Sequence, residues 1–233
     1  MFIMKLKLIS LSFLLAGIMN FSYAQKSSVI IKGGLNLANV SINSNGDIDD
    51  AKSLVSFHAG LLGDIPVVSF VSIQPGIFIT GKGTKTQSGN TSDANYFRAT
   101  SNPLYVEVPV NIVFKAPMGK ESKFFAGAGP YVAMGIGGKV KEDGRILGIG
   151  YSRDAAIQFS NDDPTTSEEE GSGFGIMRRF DYGLNGTIGF ESEKAMFSLN
   201  YGLGLAKLMS GTNSNADENN KHRVLSFSVG FKL

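Results

Sequence analysis

Hydrophobic and polar residues alternate with period two along most of the chain beyond residue 28, the pattern of a strand with two unlike faces. In the first run Val29, Ile31, Gly33, Leu35 and Leu37 share one face, and Ile30, Lys32, Gly34 and Asn36 the other. The second sets Val55, Phe57, Ala59, Leu61 and Ile65 against Ser56, His58, Gly60 and Asp64; the third sets Val71, Ile73, Ile77 and Ile79 against Ser72, Gln74, Thr80 and Lys82. The fourth is the most regular, with Leu104, Val106, Val108, Val110, Ile112 and Phe114 against Tyr105, Glu107, Asn111 and Lys115. The fifth, Phe124 to Ile136, alternates weakly and its faces stay unassigned. The sixth sets Phe180, Tyr182, Leu184, Ile188 and Phe190 against Arg179, Asp181, Asn185 and Thr187. The seventh alternates Phe197, Leu199, Tyr201, Leu203 and Leu205 with Ser198, Asn200, Gly202 and Gly204, and the eighth Leu225, Phe227, Val229, Phe231 and Leu233 with Ser226, Ser228, Gly230 and Lys232.

These eight runs are long for ordinary strands but match the ~9–11 residues with which a tilted strand crosses a bilayer. The connections sort by parity. Long stretches at Asn39–Ser53, Gly83–Asn102, Gly138–Ser172 and Lys207–His222 alternate with short turns at Pro66–Ser69, Ala116–Ser122 and Glu191–Lys194. A barrel inserted from one side of a membrane produces this, with short periplasmic turns and long external loops. A sheet crosses hydrocarbon only as a closed ring, because every backbone N–H and C=O must be paired. The expected fold is therefore all-β: an eight-stranded antiparallel up-and-down transmembrane β-barrel. Eight strands enclose a space that side chains can fill. The inward Lys32, His58, Glu107, Lys115, Arg179 and Asp181 are then expected to pair with one another in a plugged polar lumen, since lone buried charges are costly. A soluble periplasmic β-barrel holding a small apolar ligand is the alternative; it would turn the apolar face inward.

The N-terminus reads differently. Lys5 and Lys7 precede an apolar run, Leu8 to Phe21, and Ser22-Tyr23-Ala24 offers small residues at a cleavage site before Gln25. That is the layout of a secretory signal peptide over residues 1–24, leaving 25–233 as the barrel domain. The same two lysines account for the formal charge of +2, so the rest is neutral and a nucleic-acid partner is disfavoured. With no Cys there is no disulfide framework or thiol chemistry, and only two His, His58 and His222, are present.

Catalytic and ligand chemistry finds little support. An outer-membrane lipid-modifying enzyme is the second alternative, and a Ser-His-Asp site would need a base within reach of a nucleophile and an orienting acid. His58 lies mid-strand facing inward, roughly 20 Å along the strand from Asp64, and reads as a lumen-packing side chain. His222, between Lys221 and Arg223, reads as a solvated interface residue. The acidic run from Asn161-Asp162-Asp163 to Glu168-Glu169-Glu170 lacks EF-hand spacing and reads as a solvated loop rather than a cation site. Gly33-Gly34 and Gly135-x-Gly137-Gly138 lack the context of phosphate loops and instead ease curvature and close packing. No catalytic, cofactor or metal site is expected. Phe70, Phe114, Phe124, Phe190 and Phe197 fall near the short turns, where an inner aromatic girdle would lie.

Several segments together resemble a known family. Ile31-Lys32-Gly33-Gly34-Leu35-Asn36-Leu37, Ser72-Ile73-Gln74-Pro75-Gly76, Leu104-Tyr105-Val106-Glu107-Val108-Pro109-Val110, Phe125-Ala126-Gly127-Ala128-Gly129-Pro130-Tyr131, Tyr182-Gly183-Leu184-Asn185 and the closing Arg223 to Phe231 occur in the order seen in the Bacteroidetes PorT-like outer-membrane β-barrels. The resemblance implies an eight-stranded outer-membrane barrel and, through the family's namesake, a link to type IX protein secretion. The last strand, with Phe227, Val229, Phe231 and Leu233, resembles the signal read by the barrel-assembly machinery, although Leu233 stands where an aromatic is usual. The implied partners are outer-membrane lipid and lipopolysaccharide, the assembly machinery during insertion, and proteins of a secretion complex.

Overall fold

The computed structural model describes residues 27–41, 52–119, 121–160, 176–206 and 221–233. The leader at 1–24 and the acidic run between 161 and 170 lie outside these residues. Among the described residues twelve strands are formed: β1 (Ser28–Ser41), β2 (Lys52–Val68), β3 (Val71–Gly81), β4 (Thr84–Ser88), β5 (Tyr96–Pro117), β6 (Lys123–Ile146), β7 (Ile149–Ala156), β8 (Gln158–Ser160), β9 (Ile176–Arg178), β10 (Phe180–Glu191), β11 (Ala195–Gly204) and β12 (Lys221–Lys232). Eight of them close a ring, β1–β2–β3–β5–β6–β10–β11–β12 and back to β1, with every neighbouring pair antiparallel. The ring has no free edge, which is what hydrocarbon requires.

The two faces fall where the alternation places them. Val108 and Val110 are 40% and 41% exposed on the outside, while Asn111, Val113 and Lys115 on the same strand are buried. A soluble barrel with its apolar side chains in the middle is thereby ruled out. The fifth run now has faces too. On β6, Phe125, Tyr131 and Ala133 point inward, and Val132, Met134 and Ile136 point out. Its alternation is weak in sequence because Gly127, Gly129 and Gly135 take inward positions and Ala126 and Ala128 outward ones. Gly127 and Gly129 face Val113 and Asn111 so closely that a Cβ at either would overlap the neighbouring backbone.

Two connections read as loops are largely strand. Gly83–Asn102 contains β4 and the start of β5, and Gly138–Ser172 contains the end of β6, all of β7 and β8. β4 pairs with β5, and β7 with β6, so the sheet continues beyond the ring at the long-connection end. Their apolar and polar residues keep no long period-two alternation, so a pattern search does not detect them. The short β8 pairs in parallel with β9. It places Phe159 against Tyr105 at the same end, with ring centroids 5.7 Å apart. At the opposite end, Phe70, Phe114, Phe190 and Phe197 stand exposed on the outer surface. Phe124 lies edge-on to Phe190 at 5.4 Å, and Phe190 is opposite both Phe124 and Phe197 in register. The aromatics thus form a band at the short-turn rim, as a membrane-interface girdle does.

Candidate functional site

The lumen is built in layers. At the short-turn mouth Lys115 Nζ donates to Asp64 Oδ2 at 2.6 Å and to Glu191 Oε1 at 2.9 Å. Lys232 reaches Glu191 Oε2 at 3.1 Å, and Gln74 donates to Asp64 Oδ1 at 3.1 Å. One inward position further along the strands lies an apolar layer of Ile30, Leu62, Phe78, Val113, Phe125 and Met196. Leu62 is two residues from Asp64, and Val113 two from Lys115, so the pleat itself stacks grease directly on the ionic mouth.

Above it runs a directional chain of hydrogen bonds. Asn36 is fully buried and its Nδ2 donates to Thr80 Oγ1 at 2.9 Å and to the Gly81 carbonyl at 3.0 Å. That leaves Asn36 Oδ1 facing His58 Nδ1 at 2.7 Å. A carbonyl oxygen only accepts, so His58 carries its proton on Nδ1. His58 Nε2 then accepts from the Ser228 hydroxyl at 2.8 Å. Ser228 Oγ in turn accepts from Asn200 Nδ2 at 2.9 Å, and Asn200 Oδ1 accepts from Lys32 Nζ at 3.1 Å and Thr187 Oγ1 at 2.8 Å. The chain links β11, β12, β1, β2 and β3 across the ring. His58 and Ser228 meet because each stands opposite Gly34, which has no side chain to separate them.

Near the outer end Lys82 Nζ sits 2.6 Å from Glu107 Oε2 and 2.8 Å from Asp181 Oδ2, and 4.0 Å from the centroid of the Tyr131 ring. Tyr131 Oη donates to Asp181 Oδ2 at 3.1 Å. The expected six-residue network is therefore three separate groups. Glu107 and Asp181 share a cation, Lys115 belongs to the mouth, and Lys32 and His58 belong to the hydrogen-bond chain. Arg179 belongs to none of them. It is exposed in the break before β10, where the strand's alternation does not yet apply, and its Nη2 donates to the Phe159 carbonyl at 3.2 Å. The charged partners that the six use are Lys82, Asp64 and Glu191. Each has the parity of the inward face of its run, which is the signal that would have found it. His222, read as solvated, is 2% exposed: β12 already points inward there, and His222 Nε2 lies 3.4 Å from the Tyr105 hydroxyl.

Ser228, His58 and Asn36 have the hydrogen-bond order of a nucleophile, a base and its orienting group. Sequence spacing could not show this, since the three residues come from three strands. Ser228 is buried, its oxygen is occupied by Asn200, and the cavity alongside is lined by His58 and Asn200 but not by Ser228. Among the described residues no cluster of three or more His, Asp or Glu side chains could hold a metal ion.

The family model for the outer membrane protein β-barrel domain matches residues 23–210. The chain belongs to this family. Comparison with curated proteins finds no match. Among solved structures, this family member is similar to Ail, the attachment invasion locus protein of Yersinia pestis, in complex with the heparin analogue sucrose octasulfate: 13% identity, 90% of this chain and 100% of that one covered, TM-score 0.40. Neisserial surface protein A is similar at 9% identity, with 90% and 99% covered and a TM-score of 0.39. The N-terminal β-barrel domain of Pseudomonas aeruginosa OprF follows at 7% identity, with 87% and 97% covered and a TM-score of 0.27.

Proposed function

We propose that this outer-membrane barrel is a closed, non-conducting and non-catalytic scaffold that acts through its two ends, in a structural, binding or secretion-accessory role of the PorT-like kind. The observation that carries this reading is the apolar layer set between ionic groups. Six side chains from six strands form one apolar cluster in the lumen, which supports a lumen without a continuous polar path for ions. A lumen that does not conduct leaves the extensions around β4 and β7 on one side, and the short-turn mouth on the other, as the surfaces available to partners. On this reading a signal peptide exports the chain, the assembly machinery inserts it, and outer-membrane lipid and lipopolysaccharide surround it. An enzyme reading draws on the order of Ser228, His58 and Asn36, but a nucleophile without room for an acyl group beside it has no reaction to perform.

Two measurements test the proposal. In planar bilayers the purified chain is expected to give no stable single-channel steps, and large, persistent conductance would refute closure. Deletion of the gene is expected to reduce secreted proteins while leaving the envelope intact if the role is secretory. Periplasmic leakage with normal secretion would instead assign a structural role.

A further inference from the structure

We infer that the cavity in the middle of the barrel is a binding site for one small monovalent anion, held by Lys32. The cavity measures about 70 Å³, and its wall includes Lys32, Asn111, Thr187 and Asn200, with Leu62 and Phe78 from the apolar layer. At about 10–15 Å³ per water, this is space for a small anion together with a few waters. Lys32 is only 8% exposed, and its one hydrogen bond goes to a neutral acceptor, Asn200 Oδ1. Among the described residues no carboxylate lies within 4.0 Å of its Nζ. The barrel treats its other buried lysines differently: Lys82 and Lys115 each touch two carboxylates.

Among the described residues no neighbour brings a carboxylate into contact with Lys32. Asn200 Oδ1 already accepts twice, from Lys32 and from Thr187. Glu107 faces the same cavity, but its carboxylate is held by Lys82 at 2.6 Å and receives Asn185 Nδ2 at 3.3 Å. A buried ammonium with spare N–H donors, opening on a cavity, is the donor side of a charge-assisted hydrogen bond whose acceptor is an anion. Asn111 Oδ1, buried without a partner, would receive a water sharing the cavity with the ion. One ammonium that touches no carboxylate suits a monovalent ion better than sulfate or phosphate.

The test uses the full chain folded in detergent, at constant ionic strength, with gluconate as the reference anion. Replacing gluconate by chloride, bromide or formate is expected to raise the thermal unfolding midpoint by several degrees and to saturate, whereas sulfate leaves it unchanged. Lys32→Met is expected to abolish the rise. Crystals soaked in bromide are expected to show one anomalous peak within hydrogen-bond distance of Lys32 Nζ, a readout on the unaltered chain that stands even if the variant fails to fold. Equal midpoints in chloride and gluconate together with water alone beside Lys32, or a rise that persists in Lys32→Met, would overturn the proposal.

Discussion

Lys82→Met is expected to be the most destabilising single charge removal in this barrel. The side chain of Lys82 is 3% exposed and its ammonium is the cation for both Glu107, at 2.6 Å, and Asp181, at 2.8 Å. Methionine fills similar volume but leaves two carboxylates facing each other inside the ring. Removing one partner of a buried ion pair costs about 3–5 kcal/mol, and here two anions lose their cation at once, so the upper end of that range is expected. Asp181 Oδ1 already lacks a hydrogen-bond partner, so the site has no reserve of donors. Urea unfolding of the detergent-folded chain, followed by the loss of its compact band on unheated gels, measures the effect. The triple change Lys82→Met, Glu107→Gln, Asp181→Asn is expected to recover most of it, because amides do not carry the charge that makes the site costly. A single variant as stable as the parent would show that Glu107 and Asp181 are not dependent on this cation.

Gly34→Val is expected to block folding of the ring. Gly34 lies opposite both His58 and Ser228, and a Cβ there would overlap the Phe227 carbonyl oxygen and come within 2.9 Å of His58 Cε1. The clash is with backbone on one side and with a ring held at both nitrogens on the other, so neither yields cheaply. Overpacking typically costs 1–3 kcal/mol; with the strand seam and the hydrogen-bond chain both displaced, more than about 3 kcal/mol is expected here. Gly33→Val is the control. Gly33 takes the outward parity, and a Cβ there would have the His58 carbonyl 3.3 Å away, so folding yields near those of the parent are expected. If Gly34→Val gave a normal yield of heat-modifiable barrel, the close approach of His58 to Ser228 over residue 34 would be wrong.

The layers of the lumen were partly legible beforehand. Parity alone assigned Lys32, His58, Glu107, Lys115 and Asp181 to the inside, because a strand crossing lipid must put its polar residues on one face. The same rule misplaced Arg179, which sits one residue before β10 begins, and gave no guidance on His222, which looks solvated beside Lys221 and Arg223 until β12 is seen to start at Lys221. Partner choice was not legible at all. Lys82 meets Asp181 across 99 positions and His58 meets Ser228 across 170, and no local spacing encodes such distances.

The sequence by itself determined which side of seven of the eight membrane-crossing strands meets lipid, and hence the closed sheet, because the contrast between hydrocarbon and a polar interior acts residue by residue with period two; the faces of the strand from Phe124 to Ile136 came only with the structure. It did not determine strand length beyond the ring, where the residues keep no long apolar–polar alternation. The tertiary structure alone decided how far each strand is shifted against the next. That stagger brings Ile30, Leu62, Phe78, Val113, Phe125 and Met196 together as one apolar layer. It also gives Lys115 and Lys82 their carboxylates while leaving Lys32 to face a cavity without one, since only ring closure fixes which inward positions of distant strands share a level.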